Sequence, residues 1–282
     1  MVILHSLDAL RKWQDSVGWA QRETGFVPTM GALHEGHLSL IRNALQRTDL
    51  VVVSVLVNPT QFNDAKDFDC YPRTLESDAE KAEKAGAHAV FAPSAVELYG
   101  GKPEAPRVSW GNVTDSFEGA FRQGHFDGVI KVVDLLFQVV QPTVAVFGAK
   151  DLQQVAVVKR MARKRHPAVH ILVGQLIRDA DGLALSSRNA RLNEEGVRLA
   201  LTLSRTLFEV KRRLGDCTIG EDLTPVLKWA RSEASQSVEL EYLDLVDPDT
   251  FDPLAIKQNT PTHAIVAGYV QGVRLIDNLK VN

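Results

Sequence analysis

The chain has 282 residues, 45% of them hydrophobic and 24% charged, with a formal net charge of −3. That length suits one large or two moderate domains with their own cores, and that charge excludes a general nucleic-acid binder, which is basic. The opening MVILHSLDAL lacks a basic leader and no apolar run approaches a membrane span, so a soluble, cytoplasmic protein with no membrane or nucleic-acid partner is expected.

Residues 7–22 read as a helix, with Leu7, Leu10 and Trp13 on one face. A first strand over 24–27 runs into Pro28, a turn falls at Met30 and Gly31, and a helix starts near Glu35, carrying His37, Leu38, Ile41 and Leu45. The continuous apolar run at 50–57 fits a parallel strand covered on both faces. It ends in the polar loop Asn58-Pro59-Thr60-Gln61-Phe62, and open α/β sheets bind ligands beyond such strand ends. A charged amphipathic helix over 74–85, a short strand in HAVFAP and a surface loop over 97–106 come next. A long apolar helix over 124–141 leads to a buried strand at 143–147, the turn Gly148-Ala149-Lys150-Asp151, another helix from Leu152 and a strand at 169–173.

Alternating strands and helices imply right-handed crossovers and a parallel, Rossmann-like α/β sheet with helices on both faces. After Leu176 the composition changes. A hairpin turn is expected at Ala180-Asp181-Gly182, then helices over 193–214 and 223–235, then strands at 238–246, 263–270 and 273–276. The expected organisation is a first domain over 1–176 and a smaller α+β domain over 177–282. The two cysteines, Cys70 and Cys217, stand far apart and outside any C-x-x-C pair, so a reduced compartment is expected.

The stretch FVPTMGALHEGHLSLI is a strand, a glycine turn and a helix N-terminus, which together make an anion site. Free N–H groups and the positive end of the helix dipole point over the turn. His34 and His37, three apart, share a face of the first helical turn, and Gly36 lets a ligand approach the backbone. HEGH is one residue short of H-E-x-x-H, so no zinc pair is read and no residue is assigned as a metal ligand. Lys150 supplies a point charge for phosphate at the second strand–glycine–helix junction. No Ser/His/Asp or Cys/His arrangement stands out.

The pattern H-x-G-H resembles that of nucleotidylyl transferases. Together PTMGALHEGH, VNPTQF, FGAKDLQQ and LALSSRN, with YPRTLESD, FRQGHFDGV and VDP…RLID, resemble the pantothenate synthetase (pantoate–β-alanine ligase) family over nearly the whole chain. The resemblance implies ATP-dependent joining of pantoate to β-alanine through pantoyl adenylate, with magnesium, in a homodimer. It implies that His37 donates a proton, with His34 beside it on the phosphates. It places the nucleotide along Met30, Gly31, Ala32, Leu33, His34, Glu35, Gly36 and His37. Further nucleotide positions are Gly148, Ala149, Lys150 and Asp151, the backbone of Ile177 and Leu185, and Ser186, Ser187 and Arg188, which resemble a loop that closes over ATP.

Pantoate, with two hydroxyls and a carboxylate, needs amides on rigid supports, and Gln61 and Gln154 fit. Asn58, Tyr71 and Arg122 are further candidates, although Tyr71 suits a core equally and Arg122 suits an acidic neighbour. Asp78 reads either as a magnesium contact or as part of a solvated helix face. Against the family pattern Lys131 replaces a threonine, Leu135 a lysine, Gln123 a proline and Cys70 an arginine, all near the pantoate side. The rival readings are another nucleotidylyl transferase and a non-catalytic nucleotide sensor.

Overall fold

The computed structural model describes residues 1–63 and 65–282. The chain opens with β1 (Val2–Leu4) and α1 (Leu7–Val17). Ser6 caps α1 by accepting the Ala9 N–H at 3.1 Å, and Gly18 ends it at φ 64°. A left-handed glycine satisfies the last carbonyls and stops the helix, so it closes at Val17 and not at residue 22. There follow β2 (Thr24–Thr29), α2 (Glu35–Leu45), β3 (Leu50–Val55), α3 (Ala65–Asp69), α4 (Leu75–Lys84), β4 (Ala89–Phe91), α5 (Ala95–Tyr99), α6 (Asn112–Asp115) and α7 (Glu118–Phe121). Then come α8 (His125–Val140), β5 (Val144–Gly148), α9 (Leu152–Arg165), β6 (His170–Gly174), α10 (Glu194–Asp216), α11 (Thr224–Ala234), β7 (Glu239–Val246), β8 (His263–Val270) and β9 (Val273–Lys280).

Two compact units result. Met1–Ser109, Glu118–Ala149 and Val157–Gln175 make the first, and Trp110–Phe117, Lys150–Ala156 and Leu176–Asn282 the second. A boundary at residue 176 does not contain this arrangement, because 110–117 and 150–156 group with the second unit. The physical reason is Gln153, buried on α9, whose Nε2 donates to Ser116 O at 2.8 Å and to Val113 O at 3.3 Å. A buried amide must be satisfied, and these carbonyls satisfy it.

The first unit holds a six-stranded sheet in the order β1-β4-β3-β2-β5-β6, parallel throughout. Side chains alternate between its faces. Val27, Val51, Val53, Val90, Val144 and Val146 pack with Ile41 and Ala44 of α2 and Ala79 and Ala82 of α4. On the opposite face Phe26 and Phe147 meet Phe137 of α8 edge-on, at 6.3 and 6.4 Å between ring centroids. Both faces are therefore covered, as the apolar run at 50–57 requires. Each of the valine, isoleucine and phenylalanine side chains contributes about 1.5–3 kcal/mol when removed from water. Strand order reverses direction at the β2–β5 neighbours, the place where open parallel sheets leave a ligand crevice beyond the carboxyl ends. Both glycine turns of the sequence lie at these two strand ends.

In the second unit β7, β8 and β9 form an antiparallel meander. Gln271 and Gly272, at φ 51° and 72°, make the two-residue turn between β8 and β9. One face buries Leu243, Leu245, Val266 and Leu275 with Leu203, Leu207, Val210 and Leu214 of α10 and Ala230 of α11. The last strand is longer than the expected 273–276 and carries Asp277 and Asn278.

Candidate active site

The turn after β2 is held from beneath. Thr29 Oγ1 donates to Ser54 O at 2.7 Å and accepts the Gly31 N–H at 3.1 Å. Gly31 has φ 87°, and a Cβ there would lie 3.0 Å from Asp78 Oδ2 and 3.1 Å from a Val55 methyl, so only glycine fits. The buried Asp78 carboxylate accepts the Ala32 N–H at 2.9 Å, the Leu33 N–H at 2.7 Å and the Thr74 hydroxyl at 3.1 Å. Lys81 Nζ donates to Leu33 O at 2.9 Å. Asp78 is thus neither a solvated helix residue nor turned toward a cation: its oxygens are committed to the turn. The expectation that the turn amides are free for an anion is corrected at Ala32 and Leu33, which point at Asp78.

The first turn of α2 is capped by its own imidazoles. His34 Nδ1 accepts the Gly36 N–H at 3.2 Å, and His37 Nδ1 accepts the His34 N–H at 3.3 Å. A ring nitrogen that accepts carries no proton, so each ring proton belongs on Nε2. The rings lie 4.1 Å apart, tilted by 46°. The first turn of α2 therefore spends both Nδ1 atoms on its own backbone donors. Glu35 is elsewhere, exposed and ion-paired with Arg42; the Arg42 hydrogen bond holds its carboxyl below the usual value.

The loop after β3 is packed into α8. A Cβ on Gly128 would come within 2.3 Å of Thr60 O, so the helix meets the loop backbone directly. Asn58 is buried and turned inward. Its Nδ2 donates to Gln61 Oε1 at 3.1 Å and to Gly128 O at 3.2 Å, while its Oδ1 accepts from Tyr99 Oη at 2.9 Å and Thr60 Oγ1 at 3.1 Å. Asn58 therefore orients Gln61 and does not present its own amide to a ligand. With Oε1 on Asn58, Gln61 has its Nε2 on the other side, 3.0 Å from Met30 Sδ.

The Gln61 carbonyl accepts His125 Nδ1–H at 2.8 Å and Arg122 Nη2–H at 3.4 Å. Arg122 also donates to Glu118 at 3.2 Å and lies 3.2 Å from His125 Nε2. The acidic neighbour foreseen for Arg122 is thus real, four residues back along the chain. Tyr71 is buried, edge-on to Phe62 at 5.7 Å, which is the core placement. Tyr99 and His125 were given no role in the expectation, and Glu118 entered it only as an unnamed acidic neighbour of Arg122. The spacing of four from Glu118 to Arg122 was the readable signal for that pair.

In the second unit Lys150 is half-buried, its Nζ 3.8 Å from Asp151 Oδ1. Of the two adjacent glutamines, Gln153 is spent on the 113–116 carbonyls, and Gln154 is half-buried. The hairpin expected at 180–182 is present, with Gly182 at φ 99° and the Leu185 N–H donating to Ile177 O at 3.0 Å. That bond uses two of the backbone groups expected to face the nucleotide. Ser186 caps a five-residue 3-10 helix over Ser187–Arg191, accepting the Arg188 N–H at 3.3 Å. The S-S-R segment therefore has the local form of a helix cap, with its second serine and arginine in the first turn.

Glycine turns at two neighbouring parallel strand ends, one beside a pair of imidazoles, define an α/β protein with a crevice of the ligand-binding kind at the carboxyl ends of its sheet. Similarity narrows the class. Residues 2–280 match the pantoate-β-alanine ligase family model. A pantothenate synthetase of Nocardioides sp. is 44% identical over 99% of this chain and 84% of its own length. The crystal structure of pantothenate synthetase from Thermus thermophilus superposes with a TM-score of 0.91 at 39% identity, covering 100% of this chain and 99% of that one. A pantoate-β-alanine ligase from Francisella tularensis, complexed with beta-gamma ATP and β-alanine, gives 0.81 at 31% identity over 100% and 98% of the two chains. The chain belongs to the pantoate-β-alanine ligase family. It is a ligase that forms a carbon–nitrogen bond, and the bond joins pantoate to β-alanine.

Proposed function

We propose that this ligase uses ATP to activate pantoate as an adenylate, releasing pyrophosphate, and then passes the pantoyl group to β-alanine, releasing AMP. A carboxylate is a poor electrophile because its charge repels nucleophiles. In the first step a pantoate carboxylate oxygen attacks the α-phosphorus, and the bond to pyrophosphate breaks. In the second the β-alanine amine attacks the acyl carbon, the carbon–oxygen bond to AMP breaks, and the amine gives up a proton. Neither step requires a covalent protein nucleophile; both require donors and cations around phosphate.

The observation that carries this reading is the imidazole pair with both Nδ1 atoms committed to backbone. His34 and His37 are read as Nε2–H donors to charge that builds up at the α-phosphate. Lys150 is read as a point charge on the phosphates. Ser186, Ser187 and Arg188 are read as following the departing pyrophosphate. Gln61 and Gln154 hold pantoate, Gln61 by an Nε2–H to a hydroxyl or carboxylate oxygen. Magnesium enters as the companion of the triphosphate, since it keeps several waters and binds chiefly through substrate phosphates; Asp78, the sequence candidate, is committed elsewhere. A homodimer and a cytoplasmic location complete the proposal. No helix among the described residues is long and apolar enough to cross a membrane.

ATP–pyrophosphate exchange tests the route. Exchange that depends on pantoate and proceeds without β-alanine is expected. Formation of ADP and phosphate, or exchange only when β-alanine is present, would sink the adenylate.

A further inference from the structure

The C-terminal R-L-I-D segment lies on β9, and its continuation reaches two segments of the proposed nucleotide site. Asn278 is buried, and its Nδ2 donates to Lys150 O at 2.9 Å. Its own carbonyl accepts Arg178 Nη2–H at 3.2 Å. Arg178 grips Asp277 with both nitrogens, at 2.6 and 2.8 Å, and donates to Gly182 O at 3.0 Å inside the 177–185 hairpin. Its guanidinium lies over the Phe208 ring, 5.2 Å from the centroid. All of these groups belong to the second unit.

We infer that Asn278 is a positioning residue for Lys150, and that the Asp277–Arg178 pair holds the hairpin leading to Ser186–Arg188 on the same strand. One buried dipeptide on β9 thus fixes the main chain of two segments that are far apart in sequence and are read as phosphate-facing. A planar fork gripping a carboxylate fixes direction as well as distance, and a buried amide bond to a carbonyl fixes the peptide from which a long lysine swings. Burial raises the Asp277 carboxyl pKa, and the Arg178 guanidinium opposes the rise. That balance keeps the pair costly to separate. Neither Asp277 nor Asn278 is placed against a substrate. Their effect passes through Lys150 and the hairpin.

The inference rests on the reading of Lys150 as a phosphate-side cation, and a double-mutant cycle separates the two. Asn278→Ala, Lys150→Ala and the double variant are compared by pantoate-dependent ATP–pyrophosphate exchange. Asn278→Ala should lower kcat/KM for ATP roughly tenfold, the scale of one lost hydrogen bond, with KM for pantoate unchanged. In the Lys150→Ala background the same substitution should cost less than about twofold, as expected of residues acting as one unit. A full effect in that background makes Asn278 merely structural and overturns the inference while leaving the role of Lys150 intact. Unaltered ATP use in Lys150→Ala removes that role and the inference with it. If Asn278→Ala does not fold, Asn278→Ser, polar but too short to reach Lys150 O, carries the same cycle. A serine variant that also fails to fold assigns Asn278 to stability and overturns positioning.

Discussion

Two strand ends in this chain carry the same sequence device, a glycine turn leading into a helix, yet they are built differently. After β2 the support is near at hand within the first unit: Asp78 on α4 takes the Ala32 and Leu33 amides, and the two histidines cap their own helix. After β5 the Lys150 carbonyl is held by Asn278, which stands 128 positions later on β9. The first turn is fixed by a charge and short loops, the second by one neutral amide on a distant strand. Preorganised donors act only if they are held before the reaction. The two turns therefore depend on different parts of the chain for that rigidity.

The largest expected effect falls on the first turn. In the proposed role, His37→Ala removes an Nε2–H donor to the α-phosphate, and the loss of one such donor lowers the rate about 10²–10³-fold. Adenylate formation should suffer this loss, whereas β-alanine attack on preformed pantoyl adenylate should be slowed far less. His34→Ala should follow the same pattern. Single-turnover kinetics begun from each side measure the split. An equal loss in both steps would reduce the histidines to helix caps.

Asp78→Asn attacks the same turn from beneath. The amide keeps one acceptor and points an NH2 group at the second backbone donor, so one buried N–H loses its partner. The expected cost is about 2–3 kcal/mol of stability, read from the urea midpoint. The Ala32 and Leu33 amides should exchange faster, while those of Lys150 and Asp151 stay as they were. Equal loss of protection at both turns would erase the contrast between them.

How far the sequence foretold this contrast depends on what each residue touches. Strand β8 was found at its full length, and the β2 turn and the 180–182 hairpin in place, because glycine and apolar runs declare themselves locally. Strand β1 was not foreseen: it has three residues and gains its place only by pairing with β4, 87 positions on. Asp78 was misread since it sits among the charges of a plainly amphipathic helix and its partners are backbone amides, which leave no mark in composition. Asn58 was read as a ligand group because its loop is polar; that its amide is consumed by Tyr99, Gln61 and Gly128 is a tertiary fact. Gln153 and Gln154 are identical letters, and only the 113–116 carbonyls tell them apart.

A third test compares side chains instead of turns. Gln61 is held at both ends of its side-chain amide and by its own carbonyl. Gln61→Ala should raise KM for pantoate about tenfold and leave KM for ATP unchanged, as one well-oriented hydrogen bond is worth. Initial rates with each substrate varied in turn decide it. A matching rise for ATP would place Gln61 on the nucleotide.

The smallest effect reads the distant support itself, through pH. His263 on β8 pairs in register with Lys280 of β9, two positions beyond Asn278. Its Nδ1 is buried without a hydrogen-bond partner. Burial, with Lys280 in the same direction and Asp247 against it, lowers its pKa from 6.5 to about 4. The folded protein therefore holds this ring neutral between those values, while the unfolded chain takes up a proton. Stability is full above the unfolded value and falls as pH drops through 6.5 toward 4. The whole displacement corresponds to about 3 kcal/mol, but the ring is partly solvated, so a share nearer about 1 kcal/mol is expected. Urea titrations at pH 7 and pH 4.5 should show that loss, and His263→Phe should remove it from the difference. Acid should then loosen the β8–β9 pair that carries Asn278, and the Asn278 side-chain N–H that donates to Lys150 O should lose protection before the Ala32 N–H does. If both turns lose protection together, the second turn draws its rigidity from somewhere other than β9.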